Sequence, residues 1–171
     1  MNRHHLLSIS AVAALAFALL PSSAVGQQKS LKDQLVGTWT LVLWEQANPD
    51  GSKLQRFGAN PKGVNVFDAN GRVFVMYTRP DLPKIASGNP STPTPEEAKA
   101  IVGGAIGYFG TYTVNEADKS IAFRLEASSF PNLLLADQKR TVVSLTADEL
   151  KYSNPVPITG GQINYVFRRA N

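Results

Sequence analysis

The sequence contains no cysteine, and its only two histidines, His4 and His5, lie within the first five residues. The missing thiols exclude disulfide bonds and cysteine nucleophiles. Beyond His5 there is also no imidazole for a catalytic triad or for the usual zinc and copper sites. We therefore expect no metal and no cofactor, and any catalysis would have to use Asp, Glu, Lys, Arg or Tyr.

The sequence also has no cluster of like charges. Its 17 lysines and arginines are scattered among 13 acidic residues, and the only adjacent basic pairs are Lys139-Arg140 and Arg168-Arg169. A nucleic-acid-binding domain would concentrate its basic residues on one face or in one run. We expect no nucleic-acid partner.

The N-terminal residues have the order of a secretory signal peptide. A short segment carrying Arg3 precedes the apolar run Leu6–Leu20, which ends at Pro21 and is followed by small residues at Ala24 and Gly26. An apolar run of 15 residues is short of the roughly 20 that a spanning helix needs. The sequence thus predicts a cleaved signal peptide and a secreted or periplasmic protein without a membrane span.

This assignment divides the chain into a signal peptide at residues 1–26 and one domain at residues 27–171. The domain has 145 of the 171 residues, enough for one hydrophobic core. Arg3 is removed with the signal peptide, so the domain has 16 basic and 13 acidic residues and a small positive net charge.

The domain consists mainly of short β-branched and aromatic segments separated by turn residues. Asn70-Gly71 is expected to supply the positive φ angles of a tight hairpin. Eight strands with short connections hide their edges by closing into a barrel. We predict an all-β fold, an eight-stranded antiparallel up-and-down barrel, with strands at residues 38–46, 63–67, 72–79, 108–114, 120–128, 139–145, 149–153 and 162–169.

One short helix is predicted between the third and fourth strands. Thr94 is a helix cap, Pro95 suits the first helical position, and Glu97 can bond back to the cap, so the helix should run from Pro95 to about Val102. The preceding segment, Pro80–Pro93, has four prolines and predicts a loop that is either a plain connector or a lid over one barrel end.

Large rings dominate the predicted interior, and they either fill the core or line a ligand cavity. The sequence does not say which strand faces point inward. On the third strand Val73, Val75 and Tyr77 share one apolar face while Phe74 and Met76 share the other. The outer of these two faces has to be covered, either by the helix or by a second copy of the protein in a homodimer.

Several blocks of the sequence resemble the bacterial and fungal lipocalin-like domain family. They are LVGTWTLV at Leu35, RFGANPKGVNVFDANGRVFVMYTRPD at Arg56, the TPEEAKA helix, GYFGTYTVNEADKSI at Gly107 and ASSFPN at Ala127. The resemblance implies that Trp39 of the Gly-x-Trp motif closes the barrel floor and that a late arginine, Arg168 or Arg169, packs on its ring.

The resemblance also implies a set of recurrent residues, namely Phe57-Gly58, Tyr108, Gly110, Tyr112, Phe130-Pro131-Asn132 and Arg140. Phe130-Pro131-Asn132 ends a strand at the barrel rim and either serves structure or contacts a ligand. Arg124 and Arg140 are candidate counter-charges for an acidic ligand if they point inward. The candidate ligand-binding residues are Trp39, Phe57, Tyr77, Tyr108, Tyr112, Arg124, Phe130, Asn132 and Arg140.

Three functions fit these features. The favoured one is an exported carrier or sensor of a small hydrophobic molecule, held in the barrel. The second is an isomerase or cyclase acting by confinement, for which Glu45 and Glu126 are the carboxylates to inspect. The third is an envelope or partner-binding domain with a filled core. A cavity inside the barrel distinguishes the first two functions from the third.

Overall fold

A computed structural model describes residues 29–135 and 138–170 of the chain. The predicted signal peptide, residues 1–26, lies outside the described residues. The helices are α1 (Leu31–Leu35), α2 (Pro95–Gly104) and a 3₁₀-helix at Pro131–Leu135. The strands are β1 (Gly37–Ala47), β2 (Lys53–Leu54), β3 (Lys62–Phe67), β4 (Arg72–Thr78), β5 (Ala105–Asn115), β6 (Ser120–Ser128), β7 (Gln138–Leu145), β8 (Glu149–Asn154) and β9 (Gln162–Arg169).

The eight long strands form one closed antiparallel barrel. From β3 to β9 each strand pairs with the next along the chain. Strand β1 pairs with β3 and also with β9, from Trp39 opposite Arg169 to Ala47 opposite Gln162, and this last pairing closes the barrel. The predicted eight-stranded up-and-down barrel is confirmed. The two-residue β2, which was not predicted, pairs with the end of β1.

The antiparallel order gives the barrel two different ends. The closed end holds α1 and the short turns that join β3 to β4, β5 to β6, and β7 to β8. The open end holds the longer connections, including α2 and the 3₁₀-helix. In the part of the chain that the structure describes, no helix is long and apolar enough to cross a membrane.

Helix α2 begins where the sequence predicts. Thr94 accepts a hydrogen bond from the backbone N–H of Glu97, and the Glu97 carboxylate accepts one from the backbone N–H of Thr94. The helix continues two residues past Val102. Arg56 donates from its guanidinium to the carbonyls of Val102 and Gly103, and these bonds satisfy acceptors that a helix end leaves open.

The hairpin between β3 and β4 forms, but not with the predicted pair of positive φ angles. Gly71 has a φ of +86°, whereas Asn70 is not among the described residues with positive φ. The backbone N–H of Gly71 donates to Asp68 and the N–H of Asp68 donates to Arg72. Four residues therefore make the turn, and only the last needs the left-handed conformation.

The structure also decides which face of β4 is inside. Val73, Val75 and Tyr77 are buried, while Phe74 and Met76 are 48% and 47% exposed. Phe74 stacks on Phe109 of β5 with ring centroids 5.8 Å apart, and α2 does not cover this pair. Of the two alternatives for covering this face, helix α2 does not do so, and a second copy in a homodimer stays a prediction.

Candidate functional site

The closed end of the barrel is sealed around Trp39. Its side chain is fully buried and donates from the indole Nε1 to the carbonyl of Leu35 in α1, at 2.7 Å. The Arg169 guanidinium lies 4.1 Å from the indole ring and donates to the carbonyls of Gln34 and Val36. Arg169 is therefore the arginine that the Gly-x-Trp motif implies, and the neighbouring Arg168 is exposed.

The motif requires glycine at position 37 for two reasons, the backbone conformation and the lack of space for a side chain. Its φ is +135°, a conformation that other residues rarely adopt. A Cβ at this position would lie 2.7 Å from Nη1 of Arg169. The glycine thus lets the arginine approach the backbone at the barrel floor.

A buried polar cluster joins strands on opposite sides of the barrel. The Tyr77 hydroxyl donates to Oδ1 of Asn65 at 2.5 Å, and Nδ2 of Asn65 donates to the Tyr152 hydroxyl at 2.7 Å. Burial raises the pKa of both Tyr77 and Tyr152 well above the ordinary value. Both phenols consequently stay protonated, and the fully buried Asn65 has partners for its donor and its acceptor.

A cavity of about 490 Å³ occupies the barrel interior toward the open end. Its volume is in the usual range for small-molecule sites, roughly 300 to 1,000 Å³. Aliphatic side chains including Ile106 and Ile163 contribute to the wall. Six aromatic side chains line it: Trp44, Phe57, Tyr77, Tyr108, Phe130 and Tyr165.

The mouth of the cavity is formed by three segments of the open end. Leu54 and Arg56 come from the connection between β1 and β3, Leu133 comes from the 3₁₀-helix, and Ile158 comes from the loop between β8 and β9. Leu54 and Ile158 are about half exposed. The loop Pro80–Pro93, predicted to be a connector or a lid, contributes none of the lining residues.

Arg140 is the buried charge of the cavity. It is 2% exposed, and its guanidinium lies 5.3 Å from the ring of Phe123 and 5.8 Å from the ring of Tyr165. Burial by itself would lower the pKa of this guanidinium. The phenol groups of Tyr165 and Tyr108 act in the opposite direction, and the net pKa lies above the ordinary value. Arg140 therefore keeps its positive charge.

Five of the nine candidate residues line the cavity: Phe57, Tyr77, Tyr108, Phe130 and Arg140. Arg124 and Asn132 are exposed. Trp39 belongs to the closed end, and Tyr112 donates from its hydroxyl to the carbonyl of Asp68 in the β3–β4 turn.

The structure adds lining residues that sequence reasoning did not select for the site. Trp44 and Tyr165 are large rings of the kind expected in the interior, but nothing in the sequence pattern places them near the open end. Three polar residues, Gln46, Gln138 and Asn154, also reach the cavity from strand ends. Polar residues at strand ends resemble ordinary solvent-facing residues, so the sequence held no signal for them.

The two carboxylates considered for catalysis lie outside the cavity. Glu45 pairs with Lys53 at 2.9 Å, and Glu126 pairs with Arg72. No carboxylate of the described residues lines the cavity, and within the same residues no group of three potential metal ligands comes together. Of the residue types considered for catalysis, only tyrosine and arginine are found among the described residues that line the cavity. The filled-core hypothesis predicted that the barrel has no cavity, and the cavity contradicts it.

Comparison with known proteins identifies a family for this chain. A family model described as "Lipocalin-like domain" matches residues 36–164. A solved structure of a redesigned β-barrel is 16% identical, with a TM-score of 0.42, over 83% of this chain and 96% of that one. None of the curated proteins matches the chain.

Proposed function

Since the chain belongs to the lipocalin-like domain family, we propose that it binds a small hydrophobic or aromatic molecule inside its barrel, after export from the cytoplasm. The observation that carries the proposal is the cavity of about 490 Å³, sealed at the end of Trp39 and open at the other. A mostly apolar wall with a few polar groups is the usual composition of such a site.

Export rests on the sequence of the first 26 residues alone. A basic start, an apolar run and small residues at Ala24 and Gly26 support it. Mass spectrometry of the protein recovered from its own host measures this directly. A chain beginning at Gln27 is expected, and a full-length chain retained in the cytoplasm would contradict export.

The binding proposal is tested with phenylnaphthylamine, an uncharged dye that fluoresces in apolar surroundings. Ile106 points into the cavity from β5, so Ile106→Trp should fill part of the space and weaken dye binding at least about tenfold. Val143→Trp is the matched control, because Val143 is 68% exposed on the outside of the barrel and the same ring is added there. Circular dichroism shows whether each variant keeps the β-barrel.

The control also separates the cavity from the outer surface. The exposed rings of Phe74 and Phe109 offer a second apolar place for a dye. If Ile106→Trp binds phenylnaphthylamine as well as the unaltered protein does, the dye is not in the cavity and the proposal fails. Loss of binding in Ile106→Trp with full binding in Val143→Trp supports it.

A further inference from the structure

Within the described part of the chain, Arg140 lacks the charged partner that a buried cation normally has. Its Nη1 donates to the carbonyl of Lys139 at 2.9 Å and its Nη2 to Oε1 of Gln138 at 3.0 Å. Both acceptors are uncharged, and Nε, which is also buried, has no acceptor among the described residues. A guanidinium buried without an opposite charge loses its hydration without compensation, so proteins usually pair it.

None of the residues that the structure describes supplies a counter-charge inside the cavity. Among the described residues the cavity is lined by two cations, Arg56 and Arg140, and by no carboxylate. The ion pairs that the structure does form, such as the pair of Lys139 and Asp118 at 3.0 Å beside Arg140, do not include Arg140.

The tyrosines around Arg140 do not provide the charge either. Burial raises the pKa of Tyr165 to about 12 in spite of the opposing effect of Arg140, and burial also raises the pKa of Tyr152 well above the ordinary value. Near neutral pH these phenols are therefore uncharged, and they can act only as hydrogen-bonding neighbours.

We propose that the molecule bound in the cavity carries one acidic group, a carboxylate, which accepts a hydrogen bond from the free Nε–H of Arg140 while its apolar body lies among the aromatic rings. This inference rests on the proposed function and names the class of ligand: a small aromatic or aliphatic acid. A planar guanidinium matches the geometry of a carboxylate, and a charge-assisted bond in a buried site is strong. Arg140 is 2% exposed, whereas Leu54 and Ile158 at the mouth are about half exposed. The carboxylate of the ligand therefore enters the cavity ahead of the apolar body.

The test compares two molecules of the same shape that differ in charge. Naphthylacetic acid and naphthylacetamide each compete with phenylnaphthylamine for the protein at neutral pH. The acid is expected to displace the dye at a concentration at least about tenfold lower than the amide does. In Arg140→Met this preference should fall to near one, while the dye still binds.

Arg124→Met is the matched control, because it removes an exposed arginine from the neighbouring strand. This variant should keep the full preference for the acid. Equal displacement by acid and amide in the unaltered protein would overturn the inference and leave the proposed function standing. If the dye itself does not bind, the proposed function fails and the inference fails with it.

A measurement on the unaltered protein covers the case in which Arg140→Met does not fold. A carboxylic acid becomes neutral below about pH 4, whereas a sulfonate stays ionised. Naphthylacetic acid should lose its advantage over the amide as the pH falls through that range, and naphthalene sulfonate should not. Undiminished binding of the protonated acid would contradict the pairing with Arg140.

Discussion

Arg169 ties together three parts of the closed end. It lies over the ring of Trp39 and donates to the backbone carbonyls of Gln34, Val36 and Ala147. Replacing it by methionine, which keeps part of the apolar stem, leaves these acceptors without their donor. We expect Arg169→Met to lower the free energy of unfolding by about 2 to 3 kcal/mol, measured by urea denaturation.

The neighbouring Arg168 gives the control for this prediction. It is exposed on the same strand, and its replacement by methionine should change stability by less than about 0.5 kcal/mol. If the two variants lose the same amount, the loss comes from the net charge of the strand and not from the contacts of Arg169.

Individual residues were predictable where a motif ties them to a place in the barrel. The Gly-x-Trp motif identified Trp39 and narrowed its partner to two arginines, and strand alternation on β9 selects Arg169. The sequence did not distinguish Arg124 from Arg140, because each lies on a predicted strand whose inward face the sequence does not identify. Only the pairing of β6 with β7 shows that Arg140 points inward and Arg124 outward.

At the scale of elements, the first turn of α2 also holds the loop before it. The Glu97 carboxylate accepts hydrogen bonds from the backbone N–H groups of Thr94 and Ala86, at 2.8 and 2.9 Å. In Glu97→Ala both donors lose this acceptor, so the Pro80–Pro93 loop should open more often. We expect limited proteolysis to cut within Pro80–Pro93 several-fold faster than in the unaltered protein.

Glu96 is the control, because it lies in the same first turn and carries the same charge. Glu96→Ala removes an equal contribution to the helix end without touching the loop. Equal cutting rates in the two variants would show that the loop does not depend on the bonds of Glu97.

Element positions followed from turn and cap residues, and the exceptions have local causes. The strands and the start of α2 lie at or within two or three residues of the predicted positions, since glycine, proline and aspartate mark their ends. Helix α1 was missed because it has only five residues and is held from outside its own sequence. The Glu116 carboxylate accepts from the N–H groups of Leu31 and Lys32.

At the scale of the whole molecule, the buried tyrosines predict a loss of stability in alkali. Burial raises the pKa of Tyr165 from 10.0 to about 12, so the folded protein holds a proton that the unfolded chain releases. The contribution is fully present below about pH 10 and is lost as the pH rises toward about 12. For Tyr165 alone the loss amounts to about 3 kcal/mol when complete.

Urea denaturation at a series of alkaline pH values measures this decline. Tyr165→Phe has no ionisable group at this position, so its stability should fall less steeply between about pH 10 and pH 12. The decline should not vanish, because Tyr77 and Tyr152 are also buried with raised pKa values. Parallel curves for the variant and the unaltered protein would refute the role of Tyr165.

The barrel as a whole was predictable, but its cavity was not. Eight strands with short connections have few ways to hide their edges, and closure is the simplest. Whether inward side chains fill a barrel depends on the sum of their volumes and on the tilt of the strands. Neither quantity can be read from the alternation of apolar and polar residues along one strand. The sequence therefore could not exclude the hypothesis of a filled core.

Within the described residues, the seal around Trp39 and Arg169 closes one end of the barrel and leaves the cavity open at the other, and this controls how its contents are exchanged. An occupant leaves by the route through which it arrived, so a second molecule cannot push it out from behind. Exchange is then limited by the dissociation rate of the first occupant and is independent of the concentration of its replacement. A protein that delivers the ligand and a protein that removes it would therefore compete for the same rim of the barrel.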